Sequence, residues 1–152
     1  MTTVQRHPQH HLRTSAGLAS ELRPSVMRLA RRLRQMHDER HELNPNQLSA
    51  LAVLVNAGDL PIGGLAAAEK VQPPSMTRIV NGLEERGLVT RVPDAADKRS
   101  SRVALTDAGR QIVLANRRRR DQWLAVRVAE LDPAERDVLR AAVPILEKVN
   151  HA

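Results

Sequence analysis

The sequence predicts a mainly α-helical fold that carries one small β-hairpin. Three observations predict it. Apolar residues recur at steps of three and four through six separate segments, the period of a helix face. That period breaks once, at Leu88–Val92 and Ser101–Leu105, two short β-type runs joined by a stretch too polar to be core. The apolar side chains are aliphatic: among 152 residues there is no Phe, no Tyr and a single Trp, Trp123. A core of Leu, Val, Ile and Ala favours closely packed helices.

The first helix is expected from about Ser15 to His41, with Leu18, Leu22, Val26, Leu29, Leu33 and Met36 on one face. Pro24 should kink or interrupt it. At 1.5 Å per residue this makes a rod of roughly 39 Å, long beside so small a domain, so part of its stripe should meet a partner. Residues 1–14 contain three His and two Arg and no apolar run; they read as a disordered tail rather than a secretory signal.

Asn44-Pro45 restarts the chain, Asn44 as a cap and Pro45 in the first turn. Leu48, Leu51, Leu54 and Val55 line this helix, and Gly58 ends it. Pro61 opens a short helix through Lys70 that turns Ile62, Leu65 and Ala66 inward; the Gly63-Gly64 pair weakens its first turn and would allow close helix packing. Val71–Pro74 reads as a tight connector. The next helix, Ser75 to Glu85, has Met76, Ile79, Val80 and Leu83 as its inner stripe and is stopped by Gly87. After the hairpin, Thr106 caps a helix to about Glu130, with Ile112, Val113, Trp123, Val126 and Val128 at its apolar positions. Asp132-Pro133-Ala134-Glu135 is a capping-box start for a last helix burying Val138, Leu139, Ala142, Leu146 and Val149, bent at Pro144.

Composition narrows the function. The net charge is +7, which attracts polyanions, and nucleic acid is the commonest of these. Cysteine is absent, which removes disulfides, thiolate nucleophiles, Cys-ligated zinc and thiol redox sensing. No apolar run is long enough to span a membrane, and a cytoplasmic location is the default. No nucleophile–base set and no phosphate-cradling glycine loop is present, so an enzyme is not expected, nor a cofactor. His37 and His41 stand four apart beside Glu42, but without a third ligand they read as a solvated pair rather than a metal site.

A short helix, a tight turn and a second helix with one polar face form a helix-turn-helix, whose second helix fits the major groove. Arg78 suits guanine and Asn81 suits adenine, while Pro74, Ser75 and Thr77 stand at the groove-facing start. The hairpin that follows carries Lys98 and Arg99 at its tip and Arg102 on its returning strand. A thin arginine-tipped loop suits the narrow minor groove, and Asp97 is placed to hold Arg99 by a charge-assisted bond.

From Leu83 the chain reads LEERGLVTRVPDAADKRSSRVALTDAGR. This resembles the MarR family of bacterial transcriptional regulators: Asp97-Lys98-Arg99 matches its wing element and Leu105-Thr106-Asp107-Ala108-Gly109 the stretch after it. The resemblance extends over about residues 15–150 and is sharpest over 74–110. It implies a winged helix-turn-helix with N- and C-terminal dimerisation helices. The divisions would be a tail at 1–14, a dimerisation helix at 15–44, a DNA-binding module at 45–105 and dimerisation helices at 106–152. It implies double-stranded DNA as partner, a homodimer on a palindromic operator, Arg99 as the wing-tip contact, repression as the commoner mode, and release by a small aromatic or phenolic effector. A ligand-independent accessory DNA binder with weak sequence preference is the alternative.

Two features stay open. Arg117 to Arg120 point four ways around a helix and read first as a solvated face, with one or two able to meet phosphates or a partner's carboxylates. Trp123 reads first as core packing; lining a cavity, it would with Arg suit a planar anion.

Overall fold

A computed structural model describes residues 11–36 and 41–151. In chain order these form helix α1 (Ser15–Arg34), α2 (Pro45–Ala57), strand β1 (Leu60–Pro61), α3 (Ile62–Glu69), α4 (Pro73–Glu85), β2 (Val89–Pro93), β3 (Ser101–Leu105), α5 (Asp107–Ala129) and α6 (Pro133–Asn150). The fold is mainly α with a small β-sheet, as the periodicities predict. The chain divides into two compact units, residues 41–121 in one and residues 11–36 with 122–151 in the other. Of the expected tail, residues 1–10 lie outside the described residues.

The 41–121 unit has a closed aliphatic core. Ala50, Leu51 and Leu54 of α2, Leu65 and Ala66 of α3, and Met76, Val80 and Leu83 of α4 pack with Val89, Val103, Ile112 and Val113. Local signals set the helix ends. Asn44 accepts from the Gln47 N–H while the Gln47 side chain accepts from the Asn44 N–H, a reciprocal capping box. Lys70, at φ 54°, closes α3 in the left-handed conformation usually left to glycine, with Val71 N–H bonded to Ala66 O at 3.0 Å and Lys70 N–H to Ala67 O at 3.2 Å. Gly87, at φ 69°, closes α4 the same way, Leu88 N–H reaching Leu83 O at 3.0 Å and Gly87 N–H reaching Glu84 O at 2.9 Å.

Two expectations shift here. The helix expected at Ser75 begins at Pro73, because both prolines occupy the first turn, where a missing N–H costs no helical bond. The connector shrinks to Lys70–Gln72. The Gly63-Gly64 pair is not demanded by packing: a Cβ on Gly63 would meet nothing within 4 Å, and one on Gly64 would lie 3.4 Å from the Pro61 ring.

The sheet is antiparallel with strand order β1-β3-β2. Val89 pairs with Leu105 and Arg91 with Val103, while Leu60 pairs with Val103 across the other edge of β3. Pro61 is tolerated because β1 is an edge strand. Thr106 then starts α5 at a crowded corner: its Oγ1 donates to Gly87 O at 2.7 Å and accepts from Gly109 N–H at 3.2 Å, and its own N–H bonds Leu88 O at 3.1 Å.

In the other unit, α1 is capped by Thr14, whose side chain accepts from Gly17 N–H. The helix ends at Arg34 and not near His41, with Arg31, Arg32 and Arg34 in a last turn whose exposed carbonyls favour positive charge. Pro24 lies inside α1 and Pro144 inside α6, and neither helix is interrupted. Asp132 and Glu135 form the expected capping box.

This unit, taken within one chain, lacks a closed core. Every large apolar side chain that stands exposed among the described residues belongs to it: Leu18, Leu22, Val26, Met27 and Leu29 on α1 and Val138, Leu139, Val143, Ile145, Leu146 and Val149 on α6 are among them. The expected burial of Val138, Leu139, Leu146 and Val149 does not occur within the chain, and Ala142 is only half-buried. Periodicity marks a face that seeks cover; one copy of the chain does not supply it. Trp123 is half-buried, with the Arg127 guanidinium 4.4 Å and that of Arg32 6.0 Å from its ring centroid.

Candidate nucleic-acid interface

Helix α4 is two-faced because its apolar residues fall at Met76, Val80 and Leu83, a stripe of steps four and three that the core covers. The opposite face is polar and open. Pro74, Ser75, Arg78 and Asn81 are exposed, and Thr77 is half-buried with its hydroxyl donating to Pro73 O at 3.0 Å. Arg78 makes no ion pair with any other described residue. Its five donors are therefore available to an external acceptor.

Asn81 is already engaged. Arg91 on β2 donates from Nη2 to Asn81 Oδ1 at 2.7 Å and from Nη1 to Glu84 Oε2. The wing's base is thus fastened to the helix it follows. Arg86, just past the end of α4, is exposed and donates from Nη1 to His41 O at 2.9 Å.

The wing owes its shape to two aspartates. Asp94 Oδ1 accepts from Ala96 N–H at 2.8 Å and Asp97 N–H at 3.3 Å, while Asp97 Oδ1 accepts from Arg99 N–H at 2.9 Å. Each is an Asx turn, a side-chain oxygen standing in for a backbone carbonyl. Asp94 N–H to Ser100 O and Ser100 N–H to Asp97 O close the loop, at 3.0 and 2.9 Å. Asp97 does hold Arg99, but through its backbone N–H, which leaves the guanidinium free. Lys98 and Arg99 stand exposed at the tip, without an ion pair among the described residues.

Arg102, grouped by sequence with the DNA contacts, is half-buried at the base. It donates from Nη1 to Asp94 Oδ2 at 3.2 Å and from Nη2 to Asp59 O, so it ties the finger to the segment before β1. The structure therefore gathers Pro74, Ser75, Thr77, Arg78 and Asn81 on one helix and Asp97, Lys98 and Arg99 on one loop, and turns Arg102 inward as a brace. Sequence reasoning missed Glu84, Arg91 and Asp94. The i, i+3 spacing of Asn81 and Glu84 was a usable signal for a shared partner.

The Asp94 carboxyl is held below its ordinary value of 3.8 by the Ala96 N–H first, then by the Arg102 guanidinium and the Asp97 N–H. A depressed carboxylate stabilises the fold above its unfolded value, and that contribution is lost as pH falls through the folded value. The wing is accordingly expected to keep its shape through the ordinary carboxylate range and to loosen only as pH falls through the lower value that Asp94 has in the folded chain. Amide NMR shifts of Ala96 and Asp97 would show the transition, and Asp94→Ala would leave these amides in the loosened position at every pH.

Arg117 of the basic run donates to Asn56 Oδ1 at 2.7 Å, while Arg118 and Arg119 are exposed. His37 lies outside the described residues, and among those described no group of three His, Asp or Glu is placed to hold a metal ion. No helix among them is long and apolar enough to cross a membrane.

Comparison with known proteins bears on this arrangement. Residues 43–101 match the MarR family. The chain is 43% identical over 135 residues to an HTH-type transcriptional regulator of Mycobacterium bovis, a match covering 89% of this chain and 94% of that protein. Among solved structures it is similar to a MarR family protein from Bacillus stearothermophilus, with 27% identity and a TM-score of 0.75 over 92% of this chain and 97% of the other. A Mycobacterium tuberculosis protein of 25% identity superposes with a TM-score of 0.79 over 91% of this chain and 95% of its own.

Proposed function

The chain belongs to the MarR family of winged helix-turn-helix transcriptional regulators, and from that premise we propose that it is a homodimeric repressor of a palindromic operator. One observation carries the reading: a helix whose inner stripe is fully satisfied by the core presents an open polar face, and an arginine-tipped wing follows it at once. Helix α4 reads the major groove through Ser75, Thr77, Arg78 and Asn81, and Lys98 and Arg99 enter the neighbouring minor groove. Phosphate neutralisation supplies affinity, and base contacts supply choice.

The uncovered apolar faces of α1 and α6 support a second copy as their cover, since a soluble monomer rarely leaves so much apolar surface in water. Two-fold pairing would then set two recognition helices against two half-sites. The proposal includes release by a small aromatic or phenolic effector; the pairing of Trp123 with Arg32 and Arg127 is the chemistry that favours such a ligand.

Footprinting on the DNA flanking the gene tests the reading. A sharp palindromic footprint is expected. Arg78→Ala and Arg99→Ala should each weaken it about tenfold or more, and Arg99→Ala should reduce the salt slope by about one. Diffuse protection without preferred sequence would instead favour the accessory binder, and unchanged binding by both variants would remove the wing and helix from the interface.

A further inference from the structure

Asn81 and Glu84 are one helical step apart on α4 and receive the same guanidinium. Arg91 donates from Nη2 to Asn81 Oδ1 at 2.7 Å and from Nη1 to Glu84 Oε2, with Arg91 30% and Glu84 37% exposed. A guanidinium is a rigid planar fork, so two acceptors on it are fixed relative to one another. An asparagine on an open helix face can rotate its amide to present oxygen or nitrogen as its surroundings require. Asn81 is not so placed. Turning its Nδ2 toward Arg91 would set donors against a cation and break the 2.7 Å bond. Glu84 meanwhile neutralises Arg91, which removes the cation as a competitor for phosphate.

We propose that Arg91 is a positioning residue that sets base choice: by holding Oδ1 of Asn81, it leaves Asn81 to the operator as a hydrogen-bond donor. This rests on the DNA-reading role given to α4 above. A donor selects base edges rich in acceptors, and guanine offers two in the major groove, N7 and O6. Adenine is matched by asparagine through both a donor and an accepting oxygen, and here one of that oxygen's two lone pairs is taken by Arg91, which fixes the plane of the amide and weakens it as an acceptor for a base. Asn81 is therefore a guanine reader in this chain, by virtue of a residue on the wing's first strand.

Selection of bound sequences from randomised duplex DNA tests this with the full chain and its Asn81→Ala, Arg91→Met and Arg91→Lys variants. The unaltered chain should prefer guanine at one step in each half-site. Asn81→Ala and Arg91→Met should each relax that step by about tenfold, leave the other steps alone, and give no further loss when combined. Arg91→Lys keeps the charge beside Glu84 but lacks the fork, so it too should relax the guanine preference at that step, and it serves if Arg91→Met fails to fold. A guanine preference that survives both Arg91 variants overturns the proposal, as does an adenine preference in the unaltered chain. So does an equal loss of affinity on all sequences, which a merely structural Arg91 would give. An unaltered chain with no sequence preference overturns the DNA-reading role of α4 itself.

Discussion

Gly109→Ala is expected to lower the free energy of unfolding by about 3 kcal/mol, although alanine is the better helix former. The reason is space. A Cβ at Gly109 would lie 2.2 Å from Leu88 O and 3.0 Å from Leu105 Cδ1. The first of these is backbone, and it is not free to retreat: Leu88 O accepts the Thr106 N–H, beside the Thr106 hydroxyl bonded to Gly87 O. Moving Leu88 therefore strains the end of α4 and the start of α5 together. Urea unfolding would measure the loss. Gly63→Ala is the matched control, since nothing lies within 4 Å of its Cβ position in α3; it should gain up to about 1 kcal/mol. Equal effects at the two sites would refute the close approach.

The second large effect concerns association. Val138 and Ile145 lie two turns apart on α6 and are 69% and 61% exposed within one chain. Glutamate at both positions should leave the 41–121 unit folded, because neither side chain belongs to its core. In the proposed homodimer the two charges would be desolvated against apolar surface. Ultracentrifugation should then show half the mass of the unaltered protein. Operator affinity should fall by two orders of magnitude or more, since two half-sites held by one particle bind with an avidity that separate subunits lack. Unchanged mass would mean that this face is covered in some other way.

The elements that the sequence made legible are those with local causes. Asn44-Pro45, Asp132-Pro133 and Gly87 each act within a turn of their own position, and all three do so as expected. The polar face of α4 and the arginine tip were legible for the same reason. What escaped depends on distant chain. A two-residue strand such as Leu60–Pro61 is too short to show alternation, and it exists because β3 lies beside it. Arg102 was grouped with the DNA contacts from its place on the strand, and its bond to the carbonyl of Asp59, 43 residues away, left no trace in the local pattern. Asn81 was read alone, and nothing local announced that Arg91, ten residues on, holds its oxygen. The burial expected along α6 is absent within one chain, because a stripe carries no record of whether its cover is the same chain or another. Val71–Pro74 read as one connector, and here its Pro73-Pro74 pair begins the helix.

Trp123 has a consequence for how such molecules can be watched. It is the one Trp in a chain without Tyr or Phe, so all near-ultraviolet emission originates from a single indole. Guanidinium groups at 4.4 and 6.0 Å make that emission responsive to small displacements of Arg127 and Arg32. The unit that carries the uncovered apolar helices thus holds its own fluorophore, while the unit that carries α4 and the wing is dark.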